Sequence, residues 1–154
     1  MSFEKAKKYL QEKGYEDHII ELEDSSATVQ LAAEALGVEP GMIAKTLSFL
    51  VSDTPILILA EGTARVDNHK YKDTFHVKAK MIPFDDVEKY IGHAPGGVCP
   101  FGIKEGIPVY LDESLKKFDT VYPAAGNDHS AVRLTIVELE AVAGAEKWVD
   151  VCKE

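Results

Sequence analysis

The chain has 154 residues, 45% hydrophobic and 28% charged, with a formal net charge of −9. That length fits one domain, residues 1–154, able to bury a core without staples, while the acidic balance argues against a protein that grips DNA or long RNA by its phosphates. Two cysteines, Cys99 and Cys152, make no disulfide framework and suit a reducing, cytoplasmic setting. The opening stretch MSFEKAKKYLQEKGY is charged throughout, so it reads as neither signal peptide nor membrane span, and no membrane partner is expected.

Ser2 is expected to cap a helix running to Lys13, with Phe3, Ala6, Tyr9 and Leu10 on its apolar face and Gly14 at its end. Residues 18–22 read as a short strand. Asp24, Ser25 and Ser26 offer caps for a helix through Val29, Leu31, Ala32, Ala35 and Leu36, which Gly37 closes. Pro40 and Gly41 mark a turn. Residues 47–51 and 56–60 are apolar runs separated by Ser52-Asp53-Thr54-Pro55, the pattern of a β-hairpin with buried strands. Residues 67–75 predict a helix, and Asp85 with Glu88 a capping box for a short helix ending near Tyr90. A glycine- and proline-rich loop fills residues 92–102. A strand at 107–111 and a short helix at 113–118 follow. Residues 120–125 and 131–136 read as strands joined through Gly126-Asn127-Asp128, and 137–143 as a last amphipathic helix closed by Gly144. Mixed elements with several hairpins favour an α/β domain with a mixed, mostly antiparallel sheet and helices packed around it.

Three places carry chemistry. Lys45 stands where the chain enters an apolar strand, so it either snorkels outward or faces a cleft. In a cleft its ammonium would hydrogen-bond an ester carbonyl or ribose hydroxyl and stabilise developing negative charge. The loop 92–102 holds four glycines and two prolines, which rule out regular helix or central strand. It is either a crossover or a stiff surface whose backbone N–H groups meet a ligand. His129, in Gly126-Asn127-Asp128-His129-Ser130, sits either in a plain polar turn or at a pocket rim. His69 and His76, or His93 and Cys99, do not match metal-ligand spacing, and no metal or cofactor motif occurs. Cys99 with His93 or His129 is a conceivable thiol pair, but it lacks a local hydrolase signature. Lysine clusters at 5, 7, 8, 13 and at 70, 72, 78, 80 are either solvated faces or a small footprint for an RNA acceptor end.

The loop Gly92-x-x-Pro95-Gly96-Gly97-Val98-x-Pro100-Phe101-Gly102, followed by Ile107-Pro108-Val109-Tyr110-Leu111-Asp112-Glu113-Ser114-Leu115 and by Val121-Tyr122-Pro123-Ala124-Ala125-Gly126, resembles the YbaK family of editing domains. The same domain is inserted in bacterial-type prolyl-tRNA synthetases. Upstream, Lys45-Thr46-Leu47 and Asp67-x-x-Lys70 match the family's lysine segment and helix start, so the likeness runs over nearly the whole chain.

The resemblance implies a barrel-like mixed sheet with flanking helices, and hydrolysis of the ester in misacylated tRNA, often tRNA(Pro) carrying alanine, cysteine or another small residue. It implies Lys45 as the essential lysine. It further implies that Gly96, Gly97, Val98, Cys99, Pro100, Phe101 and Gly102 form the loop that meets the aminoacyl end, and that His129 assists at the terminal adenosine. Ile91 departs from the threonine that many members carry before the loop glycine. An aminoacyl ester is already activated, so neither metal nor cofactor is expected. The expected partners are the acceptor end, weakly held, and a prolyl-tRNA synthetase or elongation factor. The rival expectation is a non-catalytic module of the same fold.

Overall fold

The structure is a computed structural model that describes residues 2–153. Helix α1 (Ser2–Glu12) buries Ala6 and Leu10 completely. The side chain of Ser2, the expected cap, lies outside the described residues. After a short 3-10 turn come β1 (Ile19–Glu21) and α2 (Val29–Leu36). The cap of α2 is Thr28, whose side chain accepts the Leu31 N–H, rather than any of Asp24, Ser25 or Ser26. Gly37 ends that helix in the left-handed region, as expected.

Strands β2 (Ala44–Val51) and β3 (Thr54–Glu61) form the expected hairpin, each longer than its apolar run. Ser52 and Asp53 both take positive φ, the two-residue turn whose twist matches the strands it joins. β3 is buried on both faces, which explains its unbroken Ile56-Leu57-Ile58-Leu59-Ala60 run. Next come β4 (Arg65–Val66) and α3 (Asn68–Phe75), which Asp67 caps through the His69 and Lys70 N–H groups. In α4 (Val87–Ile91) the expected capping box is not made: Asp86 holds the cap position without a side-chain hydrogen bond. β5 (Val109–Asp112) follows the glycine loop.

The expected hairpin after residue 119 is partly redistributed. β6 (Thr120–Val121) pairs with β8 (Leu134–Thr135), but β7 (Ser130–Val132) between them pairs with β1. Helix α5 (Ile136–Val142) carries a true capping box, Thr135 with Glu138. Two strands not read from the sequence, β9 (Lys147–Val149) and β10 (Cys152–Lys153), complete the chain.

The central sheet runs β2-β3-β5-β9, antiparallel at its first pairing and parallel at the next two. The mixed α/β expectation therefore holds. The sheet is not closed into a barrel: β2 and β9 are its two edges, and three two-stranded antiparallel ribbons flank it. One face carries Leu57, Leu59 and Leu111 against α1, α4, α5 and the glycine loop. The other carries Phe49, Ile56 and Ile58 against Tyr71 of α3. Each such fully buried side chain contributes roughly 1.5–3 kcal/mol. No helix among the described residues is long and apolar enough to cross a membrane.

Candidate active site

The site arises from a gap in an edge strand. At the start of β2, Ala44 N–H donates to Tyr122 (3.2 Å). Four residues on, Ser48 accepts from Ile82 N–H (3.1 Å), and Leu50 N–H donates to Lys80 (2.8 Å). Between these attachments the outer edge of β2 at Thr46 pairs with no strand among the described residues. A cavity of about 250 Å³ opens there. Its walls are Ala44, Lys45, Thr46 and Ser48 of β2, Thr28, Val29 and Ala32 at α2, Val87 of α4, and Pro95, Gly96 and Val98 of the glycine loop. Tyr122, Ala124, Ser130 and Ala131 close the far side. The Thr46 hydroxyl is buried and has no hydrogen-bond partner among the described residues. A buried hydroxyl left unmatched costs about 1–3 kcal/mol, so its presence in a cavity wall calls for a ligand group or water.

Lys45 lines the same cavity and is half-buried. Its ammonium is not in bulk solvent: it donates to the carbonyl of Ala64. That carbonyl is placed by a tight turn after β3, closed by Ala64 N–H on the Glu61 carbonyl (3.1 Å). The turn lies so near Pro40 that a Cβ on Gly62 would stand 2.1 Å from the Pro40 oxygen, so only glycine fits. Burial pulls the Lys45 amine below the ordinary lysine range, while Cys152 and the carboxylate of Glu61 pull it back up. Glu61 is itself buried, with Thr63 Oγ1 at 2.6 Å and Lys117 Nζ at 3.7 Å.

The glycine loop divides in two. Pro95, Gly96 and Val98 face the cavity. Gly97 is buried against the 126–127 backbone, and its N–H donates to Ala94 (3.1 Å). Cys99 and Phe101, expected at the substrate, have no exposed surface and belong to the main core. Pro100 is buried as well, and Gly102, with φ of +69°, packs on the Lys5 carbonyl of α1. These four lie outside the cavity lining and hold the loop from behind. Burial pushes the Cys99 thiol up to about 12, which removes the thiolate that a nucleophile needs.

His129 is exposed and does not line the cavity, although its neighbour Ser130 does. Its Nδ1 lies 3.0 Å from Asp128 Oδ1, and Asn127 Oδ1 accepts both the His129 N–H (3.1 Å) and the Ser130 hydroxyl (2.6 Å). This side-chain cap explains the polar turn locally. Sequence reasoning missed Thr28, Thr46, Ser48 and Ser130 as wall residues. Thr46 and Ser48 carried a signal, being polar residues two apart on one face of an otherwise apolar strand. Among the described residues no three His, Cys, Asp or Glu side chains converge as a metal site.

The model of the aminoacyl-tRNA editing domain matches residues 23–142, which span the β2 edge, the glycine loop and the polar turn. The chain belongs to the aminoacyl-tRNA editing domain family. Among its relatives, Bacillus subtilis (strain 168) YwhH, itself uncharacterised, is 45% identical over all of this chain and 99% of its own length. EbsC of Enterococcus faecalis, proposed to be a Cys-tRNA(Pro)/Cys-tRNA(Cys) deacylase, is 28% identical over 78% of this chain and 74% of its own. A proline–tRNA ligase of Limosilactobacillus fermentum is 30% identical over 66% of this chain, a stretch that makes up 19% of the ligase. A crystal structure described as that of a proposed trans-editing enzyme for prolyl-tRNA synthetase superposes with a TM-score of 0.89. It has 31% identity and covers 99% of this chain and 98% of its own. Editing-domain membership and the mixed α/β fold thus agree with the reading of the sequence.

Proposed function

We propose that this chain is a trans-acting aminoacyl-tRNA deacylase that hydrolyses the ester of tRNA(Pro) carrying a small wrong amino acid such as alanine or cysteine. The observation that carries the reading is that Lys45, Thr46 and the Pro95-Gly96-x-Val98 segment line one small cavity. The acceptor end would enter there with the aminoacyl group against Thr28, Val29 and Ala32. The Lys45 ammonium would leave the Ala64 carbonyl for the ribose hydroxyl or the tetrahedral oxyanion, where one well-placed donor is worth about 10²–10³ in rate. Backbone N–H groups of Gly96 and Val98 would bind near the carbonyl or ribose, with Gly97 bracing them from behind and His129 outside the cavity mouth at the terminal adenosine. The ester is activated by its own chemistry, so water or a hydroxyl or thiol of the substrate suffices as nucleophile, and no metal is required.

Selectivity would come from size. A synthetase pocket shaped for proline cannot firmly reject smaller residues, since one methylene is worth only about 1–3 kcal/mol. A second cavity that admits only the smaller ones corrects the error. The net charge of −9 favours weak capture of the tRNA body, with a prolyl-tRNA synthetase or elongation factor delivering the charged end.

The test is incubation with tRNA(Pro) charged with Ala, Cys, Ser or Pro. Rapid deacylation of a non-proline species, lost in Lys45→Ala, supports the reading. Turnover of none would make the chain a binding module for aminoacyl ends. Filter binding that finds tight, salt-sensitive capture of uncharged tRNA would contradict the delivery step.

A further inference from the structure

His93 has no exposed surface and lies where the glycine loop begins. Its Nε2 donates to the carbonyl of Phe101, eight residues on, at 2.6 Å. The Cys99 thiol donates to the same oxygen at 3.6 Å. A carbonyl can only accept, so the Nε2 proton is fixed and a neutral ring leaves Nδ1 bare. That Nδ1 is buried and has no partner among the described residues. The residues bracketed by this bond, Pro95, Gly96 and Val98, are the ones that line the cavity. The closing bond uses only Nε2, so the buried, unmatched Nδ1 is a polar atom that loop closure alone does not explain.

We propose that His93 is a positioning residue, a proton-sensitive clasp that holds the 93–101 loop against the cavity while neutral and releases it when Nδ1 is protonated. An imidazolium there would present a charged N–H with no acceptor inside the apolar core, and opening the loop lets water reach it. The groups facing the ring are Lys5 of α1, Glu88 of α4 and Cys99 of the loop itself. Lys5 also donates to the Gly92 carbonyl next door (3.5 Å). Burial is the largest influence and disfavours protonation. The Phe101 hydrogen bond and Glu88 work the other way, and Lys5 adds to burial, for a net lowering. In the opened loop the ring titrates near its ordinary value of about 6.5. The closed loop is therefore fully favoured above that pH and loses ground as pH falls below it towards the depressed closed-state value.

The link from loop to catalysis rests on the deacylase reading; the link from His93 to the loop does not. Hydrogen exchange of peptides covering 92–102, compared at equal pH between wild type, His93→Gln and His93→Leu, separates the two. Glutamine keeps an N–H donor and cannot take the proton. Wild type and His93→Gln should exchange alike at about pH 7.5, while at about pH 5 wild type exchanges several-fold faster. His93→Leu lacks the donor and should exchange about tenfold faster at neutral pH, the equivalent of one net hydrogen bond. On charged tRNA, wild type should lose deacylation on acidification where His93→Gln keeps it. Equal exchange in wild type and His93→Gln at both pH values overturns the clasp, and that comparison decides even if His93→Leu does not fold. Acid-sensitive exchange with no deacylation of any charged tRNA leaves the clasp standing and sinks the deacylase reading instead.

Discussion

Gly97 and Gly126 touch backbone to backbone: a Cβ on Gly97 would stand 2.5 Å from the carbonyl carbon of Gly126. The contact wedges the glycine loop onto the polar turn that follows β6. Gly97 does not have positive φ, so space rather than backbone conformation demands glycine here. Gly97→Ala is expected to cost about 1–3 kcal/mol, as overpacking does, and to displace Gly96 and Val98 from the cavity. Urea denaturation reads the first effect and deacylation the second; an unchanged midpoint would mean that the loop yields freely.

Lys45→Met separates catalysis from stability. The amine titrates lower in the folded chain than in the unfolded one, because burial disfavours its charge. Between the lowered value and about 10.4 the unfolded chain holds more protons, so the Lys45 contribution makes stability rise with pH across that window. Below the lowered value the amine is charged in both states, and the folded protein bears the full cost of the buried charge. The uncharged methionine is expected to leave stability unchanged or to raise it by about 1 kcal/mol, while deacylation falls about 10²–10³-fold. Thermal melting in parallel with activity checks both; joint loss would assign Lys45 a structural task.

Thr46→Val removes the unpartnered hydroxyl with little change of shape. Stability is expected to hold or to rise by about 1 kcal/mol, since an unmatched buried donor disappears. Deacylation should weaken about tenfold if that hydroxyl meets the substrate. Full activity in a folded variant would remove Thr46 from the site.

Cys99→Ala tests the rejected nucleophile. The thiol is buried and pushed up to about 12, so the variant should keep activity within about twofold of wild type. The small void it leaves is expected to cost about 1 kcal/mol. Alkylation of Cys99 in the native protein should be slow and should accelerate on unfolding. Loss of all turnover in a stable Cys99→Ala protein would restore the cysteine mechanism.

The local rules explain where reading the sequence succeeded and where it stopped. Gly37, Asp67 and the Ser52-Asp53 turn were legible because each acts on backbone groups within a few residues of itself. Thr28 was overlooked for Asp24, Ser25 and Ser26 because those are the stronger caps by residue type, and the position of the cap depends on where the chain after β1 turns into the helix. Asp85 and Glu88 had the spacing of a capping box, but Asp86, not Asp85, holds the cap position of α4. β9 and β10 are short and were invisible because their partners, β5 and β4, lie far away in sequence. Lys45 and the glycine loop were singled out from motif chemistry. Cys99 and Phe101 could not be separated from Gly96 and Val98 by that route, since adjacent residues of one loop face opposite ways.

By itself the sequence determined the family, the mixed α/β class, most helix limits and the central hairpin. These follow from periodicity, caps and glycines, whose effects are short-ranged. Only the tertiary structure decided that the sheet stays open and that β2 is left uncovered at Thr46. It alone directs the Lys45 amine to the Ala64 carbonyl and ties His93 to Phe101. Each of those depends on which distant segments lie against one another, and a vacancy between segments has no residues of its own to announce it.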